Sequence, residues 1–208
     1  MKIVIQIIII LTCYTICVSM GFSSNGITLL DSIKVSFTTK GYDLSTGYAG
    51  ELGEPVEAFL HLYAVKENKI IKKINKLQDL TDLGIEIKTK KEALDFVNLS
   101  RSEETHYLFN KGPESCIKLI RISDKEKQKI GTITDSEFKE LNLKDTAVIK
   151  RDDKFIIEMN LAKSKPVSDK IEIIRVVESV SVSGEYKLLE KKVIAIVEPS
   201  VIIMPSYE

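Results

Sequence analysis

Residues 171–197, IEIIRVVESVSVSGEYKLLEKKVIAIV, contain two long apolar runs around a single glycine. The runs 171–182 and 186–197 are rich in Val and Ile, whose branched side chains favour extended backbone. The sequence Ser-Gly-Glu at 183–185 separates them, and glycine readily adopts the left-handed conformations that tight turns require. The stretch therefore predicts a β-hairpin of two long antiparallel strands.

The length of the turn decides which residues face each other across this hairpin. A two-residue turn would place Val182 opposite Glu185, an apolar side chain against a charged one. A three-residue turn places Val182 opposite Tyr186 and continues with apolar pairs, each of which contributes about 0.2–1 kcal/mol. We therefore predict the three-residue register. Because this register brings Glu178 opposite Glu190, it requires that the pair be exposed or that a β-bulge precede it.

Apolar runs elsewhere in the chain predict further strands joined by short turns, whereas segment 41–55, with four glycines and a proline, predicts a long loop. Runs of strands with a helical unit set among them are typical of an α+β fold with an antiparallel sheet. We expect mostly antiparallel sheet of about eight strands. The predicted strands lie at 33–38, 56–65, 70–74, 117–122, 147–149, 155–161, 171–182 and 186–197.

One helical unit is predicted at about residues 89–111. Thr89 and Glu92 have the spacing of a capping box, in which the hydroxyl and the carboxylate each accept a backbone amide hydrogen. Ser100 and Glu103 repeat that spacing, so the unit is either two short helices or one helix broken near Ser100. A further helical turn is predicted at 135–141.

The N-terminal segment has the pattern of an export signal. Lys2 precedes an uncharged run at 3–18, which is longer than a usual signal core and shorter than the roughly 20 residues of a membrane span. Small residues at 19 and 21 suit a cut before Phe22, and a cut before Met20 is the second choice. We expect a cleaved signal peptide over 1–21; retention as a membrane anchor is the alternative.

Two of the three cysteines, Cys13 and Cys17, lie inside this segment. Neither follows the small residue that a bacterial lipid-attachment site requires, so lipidation is not the expected outcome. Cleavage leaves Cys116 alone, and the mature chain then contains no intrachain disulfide. Its apolar neighbours predict a buried thiol that acts as a small hydrophobic group.

Composition limits the classes of partner. The 208 residues carry 30 Lys+Arg and 30 Asp+Glu, a balance that provides no basic footprint for nucleic acid. After removal of the signal, residues 22–208 suit a single α+β domain with no stable membrane span.

The residue types that most often carry catalysis are few. His61 lies in an apolar run and is interpreted as a strand residue. His106 stands three residues after Glu103 and near Cys116, but neither a second metal-ligand cluster nor the setting of an activated thiol accompanies it. The chain contains no nucleophile elbow, P-loop or dinucleotide-binding glycine motif. We therefore predict no catalytic, cofactor-binding or metal-binding residues.

The remaining candidates are polar pairs and one sequon. The adjacent acids at 103–104 and 152–153 are interpreted as solvated charges, because neighbouring strand residues point to opposite faces. Asn98 begins an Asn-Leu-Ser glycosylation sequon, and its use depends on the host. The expected function is an exported, non-catalytic domain that binds a protein or small ligand or serves a structural role. The alternatives are an extracytoplasmic hydrolase with scattered acids and a membrane-anchored accessory subunit.

Overall fold

The computed structural model describes residues 23–24, 27–49, 60–102, 109, 116–126, 131–165 and 168–197. These residues form two compact units, the first within 23–34 and 41–73 and the second within 35–40 and 74–197. The predicted signal at 1–21 lies outside the described residues, and a single domain over 22–208 stays a prediction. Within the described ranges, no helix has both the length and the apolar character needed to cross a bilayer.

The first unit is a five-stranded sheet in the order β1-β2-β4-β5-β6. The turn between the last two strands consists of Glu67 and Asn68, both with positive φ (50° and 61°), which confirms the short turn predicted between the strands at 56–65 and 70–74. The five strands are β1 (Ser23–Ser24), β2 (Ile27–Ile33), β4 (Asp43–Ala49), β5 (Leu60–Lys66) and β6 (Lys69–Ile74).

Strand β4 (Asp43–Ala49) corrects the first part of the loop predicted over 41–55, whereas residues 50–55 lie outside the described residues. Leu44, Thr46 and Tyr48 are buried along one side of this strand, so the segment has the period-two pattern of a sheet despite its glycines. Gly47 serves close packing, because a Cβ there would lie 2.8 Å from the carbonyl oxygen of Thr28 on β2. Gly47 therefore allows β2 and β4 to approach, and does not mark a turn.

The second unit is built on another five-stranded antiparallel sheet. The last four strands of the described residues lie side by side in it in chain order. The short strand β8 pairs with the far end of β12, beyond the part that β11 covers. The strands are β8 (Cys116–Lys118), β11 (Ala147–Arg151), β12 (Lys154–Lys165), β13 (Ser168–Ser181) and β14 (Tyr186–Val197).

Two small sheets and three helices complete the second unit. β3 (Thr38–Thr39) pairs antiparallel with β7 (Ile85–Glu86), and β9 (Ile120–Ile122) pairs parallel with β10 (Thr132–Thr134). The helices are α1 (Leu77–Leu83), α2 (Lys90–Asn98) and α3 (Asp135–Glu140).

The mostly antiparallel α+β fold is confirmed, and two finer counts are wrong. The described residues contain three helices rather than one helical unit, and more than eight strands, since six strands of two or three residues accompany eight longer ones. Short strands such as β3 and β7 carry too few residues to show a period. The strand predicted at 33–38 is interrupted, because β2 ends at Ile33 and β3 begins at Thr38. Between them Phe37 packs edge-to-face on Phe96 with ring centroids 5.5 Å apart.

Helix α2 begins where its capping box predicts. The Thr89 hydroxyl accepts from the amide of Glu92, and Glu92 Oε2 accepts from the amide of Thr89. Phe96 and Val97 on this helix are fully buried. The second predicted box involves Glu103, which lies outside the described residues.

Helix α1 was not predicted, because its N-cap residue, Lys76, is not a Ser, Thr, Asp or Asn. Asp79 in the third position supplies the cap instead, accepting from the amides of Asn75 and Lys76 at 2.8 and 3.0 Å. Gly84 follows the helix with φ +81°, as a glycine at a helix end does. Helix α3 confirms the turn predicted at 135–141.

Both faces of the large sheet in the second unit carry buried side chains, and one of them is formed by alternate residues of β12. The strand predicted at 155–161 is confirmed as part of β12, and the side chains at every second position along it are at most 2 % exposed. Helix α2 contacts β11 and β12. These inward side chains of β12 are Phe155, Ile157, Met159 and Leu161.

The hairpin β13–β14 is confirmed, but its predicted register is wrong. Tyr186 pairs with Val180 and not with Val182. The backbone of Val182 is used elsewhere: its amide donates to the carbonyl of Asp153, and its carbonyl accepts from the amide of Ile87, both at 2.9 Å. These two backbone hydrogen bonds remove Val182 from the ladder, so the turn starts one residue earlier than predicted.

The turn itself still has three residues, 182–184. The amide of Ser181 donates to the carbonyl of Glu185 at 3.0 Å and closes it, and Gly184 has φ +83°. A register shift between Val177 and Glu178 confirms that the ladder bulges before Glu190.

Candidate functional site

The histidines and the cysteine do not form a site within the described residues. His61 lies on β5, where its ring meets Tyr63 edge-to-face at a centroid distance of 6.2 Å, in agreement with a strand role. His106 and the acids at 103–104 lie outside the described residues. Cys116 begins β8 and is half-buried, which corrects the prediction of full burial; a first strand residue keeps one side open. In the part of the chain that the structure describes, no three His, Cys, Asp or Glu side chains cluster as metal ligands.

The other polar candidates are structural. Asp152 and Asp153 form the exposed turn between β11 and β12, where Asp152 has φ +52°, so their interpretation as solvated charges is confirmed. Asn98 ends helix α2, and its Oδ1 is buried without a hydrogen-bond partner among the described residues.

A buried ionic cluster joins α2 to the large sheet. Glu178, fully buried on β13, accepts hydrogen bonds on both carboxylate oxygens from Arg101, which follows the helix and is 13 % exposed. The Tyr186 hydroxyl also donates to Glu178 Oε1 at 2.6 Å. Arg101 Nη2 in turn donates to the Tyr186 hydroxyl at 3.0 Å.

The charges in this cluster satisfy one another. Burial, together with the hydrogen bond to Glu178, raises the pKa of Tyr186 to about 12. Burial alone would lower the pKa of Arg101, but its hydrogen bond and charge interaction with Glu178 more than offset that and raise it. Because both carboxylate oxygens are occupied, the cluster is suited to fastening the fold and not to proton transfer.

The sequence prediction missed this cluster, since it placed Glu178 opposite Glu190, either exposed or beside a bulge. In the structure Glu178 pairs with Leu188 and faces the core. A sequence signal was present: its neighbours two positions away, Val176 and Val180, belong to the apolar face of β13. An acid in that position requires a cationic partner from another element.

An open cleft of about 280 Å³ lies beside the opposite face of the large sheet. Its walls come from the β8–β9 segment, β10, α3, the loop before β11 and the middle of β12. The lining residues are Lys118, Leu119, Ile120, Arg121, Ile133, Phe138, Lys144, Asp145, Thr146 and Asn160.

Helix α3 holds the apolar wall of the cleft in place. The Thr134 hydroxyl accepts from the amide of Glu137 and caps the helix. Asp124 accepts from the amide and hydroxyl of Ser136, both at 2.9 Å, and these hydrogen bonds lower the pKa of the Asp124 carboxyl. The position of α3 packs Phe138 with Ile133 beside the sheet.

The charged groups of the cleft fall into two classes. Arg121 is occupied: its Nε pairs with Asp135, its Nη1 lies 3.7 Å from Asp145, and its guanidinium lies 4.8 Å from the centre of the Phe138 ring. Lys118 and Lys144 form no ion pair with any described residue. The cleft therefore presents two uncommitted ammonium groups.

Asn160 is the buried polar group of the cleft, with 8 % of its surface exposed. Its Nδ2 donates to the carbonyl oxygen of Lys144 at 2.8 Å and anchors the loop before β11. None of the cleft's polar residues was singled out from the sequence, because they come from five separate elements of the chain. No protein-family model, no curated protein and no solved structure matches the chain.

Proposed function

We propose that the chain is an exported, non-catalytic binding domain whose ligand site is the cleft between α3, the β8–β9 segment and β12. Export rests on the signal-like pattern of 1–21. One observation supports binding at the cleft: apolar side chains of Leu119, Ile133 and Phe138 line it together with uncommitted polar groups. Such a mixture of apolar wall and few polar groups is typical of small-ligand sites.

The geometry supports binding more than hydrolysis at this place. Asp145 is the one carboxylate among the described lining residues, and the Arg121 guanidinium lies beside it. A hydrolytic site would need a second acid, a base or an activated nucleophile near it. The buried acid Glu178 does not serve, because Arg101 and Tyr186 occupy both of its oxygens.

The proposal is tested by blocking the cleft. A library of small organic fragments is screened against the ¹⁵N-labelled protein, and the amides that shift are assigned. Thr146 is an exposed residue of the cleft, so Thr146→Trp is expected to fill its mouth and abolish binding. Thr38→Trp, at an exposed position on β3 that does not line the cleft, is the matched control.

Fragments that shift residues 118–121 and 144–146, and that bind the control but not the blocked variant, support the proposal. A screen that finds no fragment at these residues overturns it and leaves a structural role. Binding that Thr146→Trp does not affect also overturns it.

A further inference from the structure

We infer that this cleft selects a small organic anion that also carries a hydrogen-bond donor, such as an aromatic or branched hydroxy acid; this rests on the proposed function. The first element is charge. Lys118 and Lys144 line the cleft, and neither pairs with a carboxylate among the described residues. Within a concave site with low-dielectric walls, two ammonium groups attract an anion and form charge-assisted hydrogen bonds with it.

The second element is the buried amide. The carbonyl oxygen of Lys144 can only accept a hydrogen bond, so the group 2.8 Å away from it must be Nδ2 of Asn160 and not Oδ1. This hydrogen bond fixes the orientation of the amide. Among the described residues it is the one hydrogen bond of the Asn160 side chain, so Oδ1 is available as an acceptor.

An available acceptor on a side chain that is only 8 % exposed favours a ligand group that donates a hydrogen bond. Oδ1 is not one of the enclosed, unpaired side-chain atoms of the described residues, so it keeps some exposure to solvent. A ligand that covers it without donating a hydrogen would leave it buried and unpaired, so a ligand that supplies a hydroxyl or amine hydrogen gains more than one that does not. A simple carboxylate would leave Oδ1 unsatisfied. The complementary ligand therefore joins an acid to a donor.

The third element is size and apolar area. Leu119, Ile133 and Phe138 provide the apolar wall. The volume of about 280 Å³ corresponds to about nine water molecules at roughly 30 Å³ each, which suits a single substituted ring or branched chain. Inorganic phosphate would satisfy the lysines but leave this wall in contact with water.

Three matched probes separate these elements. Mandelate carries the acid, the hydroxyl and a ring; mandelamide replaces the acid by a neutral amide; phenylacetate lacks the hydroxyl. Affinities are measured by ¹⁵N shift titration of the purified protein. We expect mandelate to bind about tenfold more tightly than either of the other two, which is the usual effect of one charge-assisted or buried hydrogen bond.

Variants locate the effect. Lys118→Gln and Lys144→Gln are each expected to weaken mandelate binding by about tenfold and to leave mandelamide unchanged. Lys118→Arg and Lys144→Arg keep the charge and should retain most of the affinity. Lys187→Gln and Lys191→Gln make the same charge change on exposed positions of β14 outside the cleft and serve as controls.

The outcomes distinguish this inference from the proposed function. If mandelamide binds the cleft as tightly as mandelate, the anion is refuted although the cleft still binds a ligand. If phenylacetate binds as tightly as mandelate, the role of Asn160 is refuted. If mandelate weakens equally in the β14 controls, the effect is non-specific charge and the inference falls. If none of the probes and no fragment shifts the cleft, the proposed function falls with it.

Discussion

Replacing Arg101 by methionine should be among the single changes that most lower the stability of the second unit. Arg101 is only 13 % exposed, and the carboxylate that it neutralises, Glu178, is fully buried. Arg101→Met keeps most of the side-chain volume but leaves that carboxylate without its cation. Breaking a buried pair in this way costs about 3–5 kcal/mol, which is a large part of the stability of an ordinary domain.

The assay is urea unfolding followed by far-UV circular dichroism, since the chain contains no tryptophan. Arg151→Met is the matched control, because Arg151 is exposed on β11, and surface changes of this kind stay within about 0.5 kcal/mol. The double variant Arg101→Met with Glu178→Leu removes both charges and should recover most of the loss. A loss below about 1 kcal/mol for Arg101→Met, or a double variant as unstable as the sum of the singles, would refute the reasoning.

Three further predictions concern other parts of the chain. Mass spectrometry of the exported protein should show a start at Phe22, or at Met20 as the second choice; an uncut N-terminus would contradict the signal. Thr89→Ala removes the hydroxyl that caps α2 and should lower the free energy of unfolding by about 0.5–2 kcal/mol, and an unchanged urea midpoint would contradict it. The pKa of Tyr186 is raised from 10.0 to about 12, so its contribution is fully present below pH 10 and is lost as the pH rises toward 12. Tyr186→Phe should therefore lose less stability than the parent between pH 10 and pH 12 in urea unfolding, and parallel curves would contradict this.

Local sequence patterns predicted the elements that are specified by residues close together in the chain. The capping box at Thr89 and Glu92 gives the start of α2, because both hydrogen bonds lie within four residues. The alternation at 155–161 gives the buried face of β12, since a half-buried strand imposes period two. Gly47 misled the prediction, because a glycine that admits a neighbouring strand has the same local sequence as a glycine in a turn.

The candidate site was not predictable, because its groups are dispersed. Lys118, Lys144 and Asn160 each resemble an ordinary surface or strand residue in the sequence. Their combination arises only when the loop before β11 is fastened to β12 through the Asn160 amide. No local period or motif connects positions so far apart in the chain.

By itself, the sequence determined the α+β class, the mostly antiparallel pairing and the existence of the β13–β14 hairpin, because apolar periodicity and turn chemistry act between near neighbours. Only the tertiary structure decided the register of that hairpin and the burial of Glu178 beside Arg101. The backbone of Val182 is claimed by Ile87 and Asp153, and the charge of Glu178 is neutralised by Arg101, all of them outside the hairpin. The interactions with such distant partners have free energies as large as the local preferences and override them, and the local sequence does not identify those partners.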